Sequence, residues 1–437
     1  MVSPAYPTIN ASVSKGFFVE MLVKDISLPM AIHDLIDNCI DGALKLKGKG
    51  KLDGLEINLK LSNREFLISD NCGGIDLDTA TNYAFRFGRP KEAPGTSHSI
   101  GRFGVGLKRA VFKLGQHFTV LSTSEKSIFE VEVDVPVWER TKQWEFVFKS
   151  VEQSRESIAD VRRGSTIRVT KLFDSVVEQF SLDHFLNTLR LSISERYQIH
   201  LERGISIKVN GLAIISAPIQ FLVFKQQLLP AFKEVNYNGV SVREFVGIGE
   251  PKPDDAGWYV YCNGRMILRA DQSGTTGWGR AGVERLPKYH NYFARFRGCV
   301  YFDSDDPASL PWNTTKDDVD HESGIYRSVL VDMVTLMKPV IAFLRDAAKE
   351  RDDPEGFRPL NDLIALGQPV PVAKIKSQDT FIYEKSPPRP RGPRMIAVKF
   401  DKPIDLVEKV KRSLSVTSAR AAGEGAFDYY VEMELDE

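Results

Sequence analysis

Asp34, Asn38 and Asp41 lie close together in the stretch Ala31-Ile-His-Asp-Leu-Ile-Asp-Asn-Cys-Ile-Asp-Gly-Ala43. At about 100° per residue the three fall within roughly 60° of one another, and Ile32, Leu35, Ile36, Cys39, Ile40 and Ala43 gather opposite them. The result is a helix with an apolar back and a front of carboxylates and one carboxamide. Oxygen ligands without interspersed lysines suit a hard cation such as Mg²⁺. In isolation, an ordinary amphipathic helix would read the same way.

Two further stretches could bind a ligand. Asp70-Asn-Cys-Gly-Gly-Ile75 follows a short apolar run. Gly73 and Gly74 let the backbone approach a ligand closely, and the Asp70 carboxylate can accept from an exocyclic amine such as that of adenine. The same residues are also ordinary turn chemistry. Gly101, Arg102, Phe103, Gly104, Val105, Gly106, Leu107 and Lys108 then lead from a basic, aperiodic segment into a helix. Their backbone N–H groups and the helix start form a cradle for an anion. Lys108, in the first helical turn, either adds a point charge to that cradle or is solvated. It is not a P-loop, because Gly-Lys-Ser/Thr is absent.

The elements that must position these residues follow from periodicity. An irregular polar arm (1–24) precedes a helix from Leu28 to Lys47. Strands are expected at Leu55–Leu61, Glu65–Ser69, His117–Ser122, Ser127–Val135, Trp144–Lys149 and Gly164–Phe173. Residues 181–203 read as an amphipathic linking helix. Two Asn-Gly hairpins follow, at Ile205–Ile214 and Trp258–Leu268, and Tyr326–Lys349 reads as a long closing helix. The domain boundaries this implies are 25–180, 204–350, a Pro/Arg-rich linker at 351–395 and a C-terminal helix with an acidic aromatic tail at 396–437.

With 437 residues, 42% hydrophobic and 27% charged, the chain should fold as a globular protein of two domains and a tail. Its 58 basic and 58 acidic residues balance, so no global field draws it to nucleic acid. Cys39, Cys72, Cys262 and Cys299 are too widely spaced for a zinc site or a disulfide scaffold. No apolar run of about 18 residues occurs. A cytoplasmic location is expected.

In order and spacing, the acidic-amide helix, Asp70 with its glycines, the Gly101–Lys108 loop and Gly164-Ser-Thr-Ile-Arg-Val-Thr-Lys-Leu-Phe173 together resemble the GHKL ATPase superfamily. Leu35–Ala43 and Ile100–Lys108 are most similar to its MutL and prokaryotic MORC-like branch. Asn263-Gly-Arg265 resembles the transducer hairpin of that branch, and Asn313-Thr-Thr-Lys-Asp-Asp318 its γ-phosphate lysine loop. The resemblance implies an α+β protein, with a Bergerat-type ATP-binding α/β sandwich followed by a transducer-like α/β domain with a long closing helix. It implies ATP and Mg²⁺ as cofactors, with Asn38 on the metal, Asp41 supporting it, Asp70 reading adenine and Ser165 in the usual threonine's place. Gly74, Gly101, Gly104 and Gly106 would approach the nucleotide, and Lys316 would sense the γ-phosphate.

Two departures stand out. Asp34 occupies the position of the family's catalytic glutamate and is shorter by a methylene, so hydrolysis is expected to be slow. Cys72 replaces the first glycine of Asp-x-Gly-x-Gly. The functional expectation is an ATPase that forms a homodimer on binding ATP and acts as a clamp in DNA-related or anti-phage defence processes. A protein partner, such as a nuclease, would use the C-terminal region, and no membrane is involved. Direct DNA contact would fall to Arg389, Arg391 and Arg394, or to Arg280, Arg285, Arg295 and Arg297. A non-hydrolysing ATP-sensing module and a chaperone-like GHKL ATPase are the alternatives.

Overall fold

Ser27 caps the acidic helix Leu28–Lys47, its Oγ accepting the Met30 N–H at 3.4 Å. Pro29 fits the first turn, where its missing N–H leaves no bond unmade, and Gly48 at φ 56° ends the helix. The computed structural model describes residues 13–24, 26–88, 99–100, 104–280, 286–351, 356–376, 378–384 and 396–435. They form two units, Met1–Ser386 and Pro387–Glu437.

In the first unit an eight-stranded sheet contains β1 (Glu56–Leu61), β2 (Phe66–Asp70), β3 (Gly115–Thr123), β4 (Ser127–Asp134), β5 (Phe148–Gln153), β6 (Gly164–Leu172), β7 (Ser206–Val209) and β8 (Leu212–Ala213). Their order is β5-β4-β3-β6-β2-β1-β7-β8, and only β1 and β7 run parallel. Alternation buries Ile57, Leu59, Phe118, Val120, Phe129, Val131, Ile167 and Val169. The acidic helix and the loop helix Gly106–Leu114 pack on each other, and the loop helix packs on β3 and β6. Their buried faces join one core cluster with these strand residues. The sheet thus delivers Asp70 and Ser165, and the helices deliver the acid face and the end of the glycine loop.

Two short strands, β9 (Gln220–Val223) and β10 (Leu228–Leu229), pair with Gln368–Pro371 and Ile382–Tyr383. A second sheet follows: β11 (Ala231–Tyr237), β12 (Val240–Ile248), β13 (Gly257–Cys262), β14 (Arg265–Asp271) and β15 (Phe296–Asp303), in the order β11-β12-β15-β13-β14. The long helix Gly324–Arg351 packs against β12 and β15. The architecture is α+β, as expected. No helix among the described residues is long and apolar enough to cross a membrane.

Several elements differ from the sequence reading. Residues 15–24 form a helix rather than an irregular arm. Lys15 anchors it, donating to the carbonyls of Trp138, Thr141 and Gln143 at 2.6–2.9 Å, and the Phe18 ring meets those of Phe87 and Trp144 edge-on. The strand expected at Trp144–Lys149 begins only at Phe148, because Trp144 and Phe146 turn into this aromatic cluster. The linking helix is two, Asp183–Arg196 and Gln198–Glu202, broken at Tyr197.

The first Asn-Gly hairpin extends the first sheet through β7, so a boundary at 203/204 would cut through that sheet. Much of the expected 351–395 linker is folded: Pro359–Leu366 is a helix burying Leu360, Leu363 and Ile364, and Phe381 is buried as well. Pro387–Arg394 lies outside the described residues. In the second unit, the acidic aromatic tail is a helix, Ala419–Glu434, packed on Ile404–Ser413.

Gly74 (φ 69°) packs so tightly that a Cβ would lie 2.1 Å from the Thr123 carbonyl oxygen, whereas Gly54 (φ 81°) faces open space. Both Gly→Ala variants should pay the left-handed backbone cost of about 1–2 kcal/mol. Gly74→Ala should lose a further 1–3 kcal/mol or so to overpacking, giving a visibly lower denaturant midpoint than Gly54→Ala.

Candidate functional site

The acidic helix presents its polar front to a cavity of about 370 Å³ between the loop helix, the ends of β2 and β6, and the Asn313–Asp318 loop. Asp34, Asn38, Asp41, Asp70, Gly74, Gly104, Val105, Gly106, Leu107, Lys108, Ser165 and Lys316 all line it. Gly101, Arg102 and Phe103 lie outside the described residues. A wider groove of about 620 Å³ elsewhere on the first sheet is bordered by paired charges such as Lys171–Asp134 and Lys149–Glu132, and holds none of these motifs.

At the closed end Asp70 Oδ1 accepts the Cys72 N–H at 2.7 Å. Burial pushes this carboxyl above its ordinary value, against the pull of the Cys72 N–H, the Cys39 thiol and the Ser165 backbone. The Ser165 hydroxyl lies 3.3 Å from that of Ser122. Cys72 does not disturb the turn: Gly73 and Gly74 take positive φ values of 96° and 69° after it. The Cys72 carbonyl reaches within 2.6 Å of where a Cβ on Gly42 would stand, so the turn lies directly against the acidic helix.

Each carboxylate of the acidic helix has its own partners. Asp34 Oδ2 accepts from Arg109 Nε at 3.1 Å and Nη2 at 2.6 Å. Asp41 accepts from the Ser99 hydroxyl at 2.8 Å and the Ile100 N–H at 2.6 Å. Asp37, which the sequence reading passed over, is fully buried and bonded to Arg265, to Tyr197 Oη at 2.8 Å and to Lys316 Nζ at 2.8 Å. Burial alone would raise its pKa, but Arg265 and Lys316 hold it well below the carboxylate range.

A 100° step places Asp37 within about 60° of Asp34, so helical periodicity could have found it. Nothing local in the sequence marks Arg265 or Tyr197 as its partners, since both come from distant segments. Asn38 faces the cavity, and its side chain has no hydrogen-bond partner among the described residues. A carboxamide oxygen in that position fits Mg²⁺, which keeps several waters and takes few protein ligands beside substrate phosphates.

The second sheet reaches the site through its β13–β14 turn. Asn263 (φ 47°) and Gly264 (φ 77°) form the tight Asn-Gly turn expected. Asn263 Nδ2 donates to the carbonyls of Ser99 at 3.2 Å and Ser304 at 3.1 Å, and Arg265 extends onto Asp37. Lys108 does not point into open space: its ammonium donates to the carbonyls of Ala84 (2.8 Å) and Gly104 (2.5 Å), and burial brings its pKa down to about 7.

Of the arginines considered for DNA, Arg297 is buried, donating to the carbonyls of Ala294, Phe296 and Glu250. Arg295 is half-buried and bonded to the Gly249 carbonyl, and Arg280 is exposed. Committed guanidinium groups of this kind are poorly placed to meet a phosphate backbone. Arg285, Arg389, Arg391 and Arg394 lie outside the described residues.

Residues 26–165 match the family model described as histidine kinase-, DNA gyrase B-, and HSP90-like ATPase. No curated protein matches the chain. The match supports the GHKL superfamily, and with it ATP binding by this part of the chain.

Two outcomes follow. Asp37→Asn leaves Arg265 and Lys316 without their counter-charge and should cost about 3–5 kcal/mol at neutral pH. The native pKa of Asp37 lies below its unfolded value, so its contribution is present above about pH 4 and lost below. The gap between wild type and variant in urea unfolding should therefore narrow on acidification. Lys108 has a dependence of the same sign in a higher pH window. Between its folded value of about 7 and its ordinary 10.5, the unfolded chain binds more protons, so stability rises with pH. Lys108→Met should flatten that rise between pH 7 and 9.5.

Proposed function

We propose that the protein is an ATP-gated dimeric clamp of the MutL and prokaryotic MORC-like branch, hydrolysing ATP slowly. The observation that carries this reading is the joint construction of the cavity. The first sheet and its helices supply the adenine end, and Lys316 arrives from the second half of the chain to sit 2.8 Å from Asp37 and 3.9 Å from Asp34. A nucleotide in that cavity would touch both halves at once. It would shift them only as far as its affinity differs between their arrangements.

Asp70 would accept from the adenine amine, and the backbone N–H groups of the glycine loop would take the phosphates. Asn38, supported by Asp41, would hold Mg²⁺, which supplies charge neutralisation on the phosphates. In hydrolysis, a water oxygen bonds to the γ-phosphorus while the bond to the β–γ bridging oxygen breaks. Asp34 takes the water's proton, ADP leaves with the bridging oxygen, and Lys316 balances charge on the γ-phosphoryl group.

Dimer formation on binding ATP, and a role on DNA in genome maintenance or anti-phage defence, follow from the branch resemblance and belong to the proposal. So does a protein partner for the C-terminal unit. Its helices leave Phe427, Tyr429, Tyr430, Ile404 and Met433 exposed and bury only Ala422, a surface suited to protein contact. A non-hydrolysing ATP sensor is the second reading, favoured by one observation: Asp34 Oδ2 is already taken by Arg109.

ATP turnover and oligomeric mass, measured together, separate the two. Asp34→Ala and Asn38→Ala should each lose at least about 100-fold in turnover. A slowly hydrolysed ATP analogue should convert wild type and Asp34→Ala, but not Asn38→Ala, from monomer to dimer. Binding and dimerisation with no wild-type turnover would establish the sensor, and absence of nucleotide binding would overturn both.

A further inference from the structure

We propose that Arg109 is a positioning residue for hydrolysis, fixing the short Asp34 side chain at a set distance from the phosphate cradle. The inference rests on the ATPase reading above and assigns a residue that the motifs leave without a role.

The geometry is specific. Both Arg109 Nε and Nη2 donate to one oxygen, Oδ2, so the second oxygen, Oδ1, is left on the side where Lys316 stands 3.9 Å away. Asp34 and Arg109 are 3% and 8% exposed, so water does not compete well for these bonds. Two N–H groups held in a planar fork restrict carboxylate rotation in a way that a single ammonium does not.

Arg109 is also tied to the cradle. Its backbone N–H bonds to the Val105 carbonyl at 2.9 Å, so it sits one helical turn beyond the residues that would meet the phosphates. Gly106 closes the same unit: a Cβ there would lie 3.3 Å from Asp34 Cγ, so the loop backbone runs directly beside the base. The Val105–Gly106 backbone, the guanidinium and the carboxylate thus meet across the contact of two helices. A base one methylene shorter than glutamate has less reach to spare, and misplacement by about 1 Å is enough to cost on the order of 100-fold in rate.

The test uses the full chain with Arg109→Lys and Arg109→Gln, each alone and in the Asp34→Ala background. Binding of the ATP analogue and circular dichroism are followed beside turnover. Arg109→Lys should bind the analogue as wild type does, keep KM, and lose about 10- to 100-fold in kcat. In Asp34→Ala, where there is no base to position, the same substitution should leave the residual rate unchanged.

Equal losses in both backgrounds would overturn the inference, because Arg109 would then act on the fold or the phosphates rather than through Asp34. An unchanged or faster rate in Arg109→Lys would also overturn it. If Arg109→Gln fails to fold, as breaking a buried pair can cause, Arg109→Lys retains the cation and decides the matter alone. Wild type that binds no nucleotide, or binds without turnover, would fail the ATPase reading itself and is told apart by the binding arm.

Discussion

A buried carboxylate must keep a counter-charge, and Asp37 imposes that condition on this fold. Its partners come from remote parts of the chain: Arg265 from the start of β14, Lys316 from the loop after β15, and Tyr197 from the break between two helices. Removing either side strands a charge in the interior, at a cost of several kcal/mol. The second sheet therefore has one favourable seat against the acidic helix. The helix break falls at Tyr197, whose one hydroxyl proton lies between the Asp37 carboxylate at 2.8 Å and the His33 carbonyl at 3.0 Å, both on the acidic helix.

The three carboxylates divide the work of assembly. Asp34 ties the acidic helix to the loop helix, Asp37 ties it to the second half, and Asp41 holds the chain at Ser99 and Ile100. Asn263 then bonds the Ser99 carbonyl, so the turn of the second sheet also bears on the loop that Asp41 holds. Asn38, the amide among these acids, keeps its side chain open to the cavity. On this helix a functional face and a structural face overlap, and polarity alone would not separate them.

The same overlap explains what was legible in the sequence. Strand alternation and the apolar back of the acidic helix depend on local spacing, and β1, β2, β3, β4 and β6 appeared close to where periodicity placed them. Local motifs likewise brought Asp70, the described glycines of the loop and Ser165 to one cavity. Relationships set by distant contacts were not legible. Lys108 read as a solvated or phosphate-facing lysine, nothing singled out Arg109, and β7 read as part of the following domain because its parallel partner β1 is far away in sequence. The Trp144–Phe146 segment alternated like a strand, but its rings pack against Phe87 and Trp138 instead of joining the ladder.

Lys316 shows how such a site can be both fixed and responsive. It has φ 55°, unfavourable for a residue with a Cβ, and the loop's own bonds over-determine that shape. Asn313 N–H meets the Asp318 carbonyl at 3.0 Å, and the Asn313 amide and Thr315 hydroxyl both donate to Asp317. The backbone thus carries the lysine to the cavity wall, and only its flexible stem chooses among nearby anions. Asp37 holds two cations at once, so Lys316 could turn toward a phosphate while Arg265 still balances the buried carboxylate. Were Lys316 the sole partner, the same movement would leave an uncompensated charge in the interior, and the barrier would rise by the cost of that desolvated anion. On the clamp reading, the second cation on Asp37 is what lets the two halves stay seated while the lysine between them responds to nucleotide.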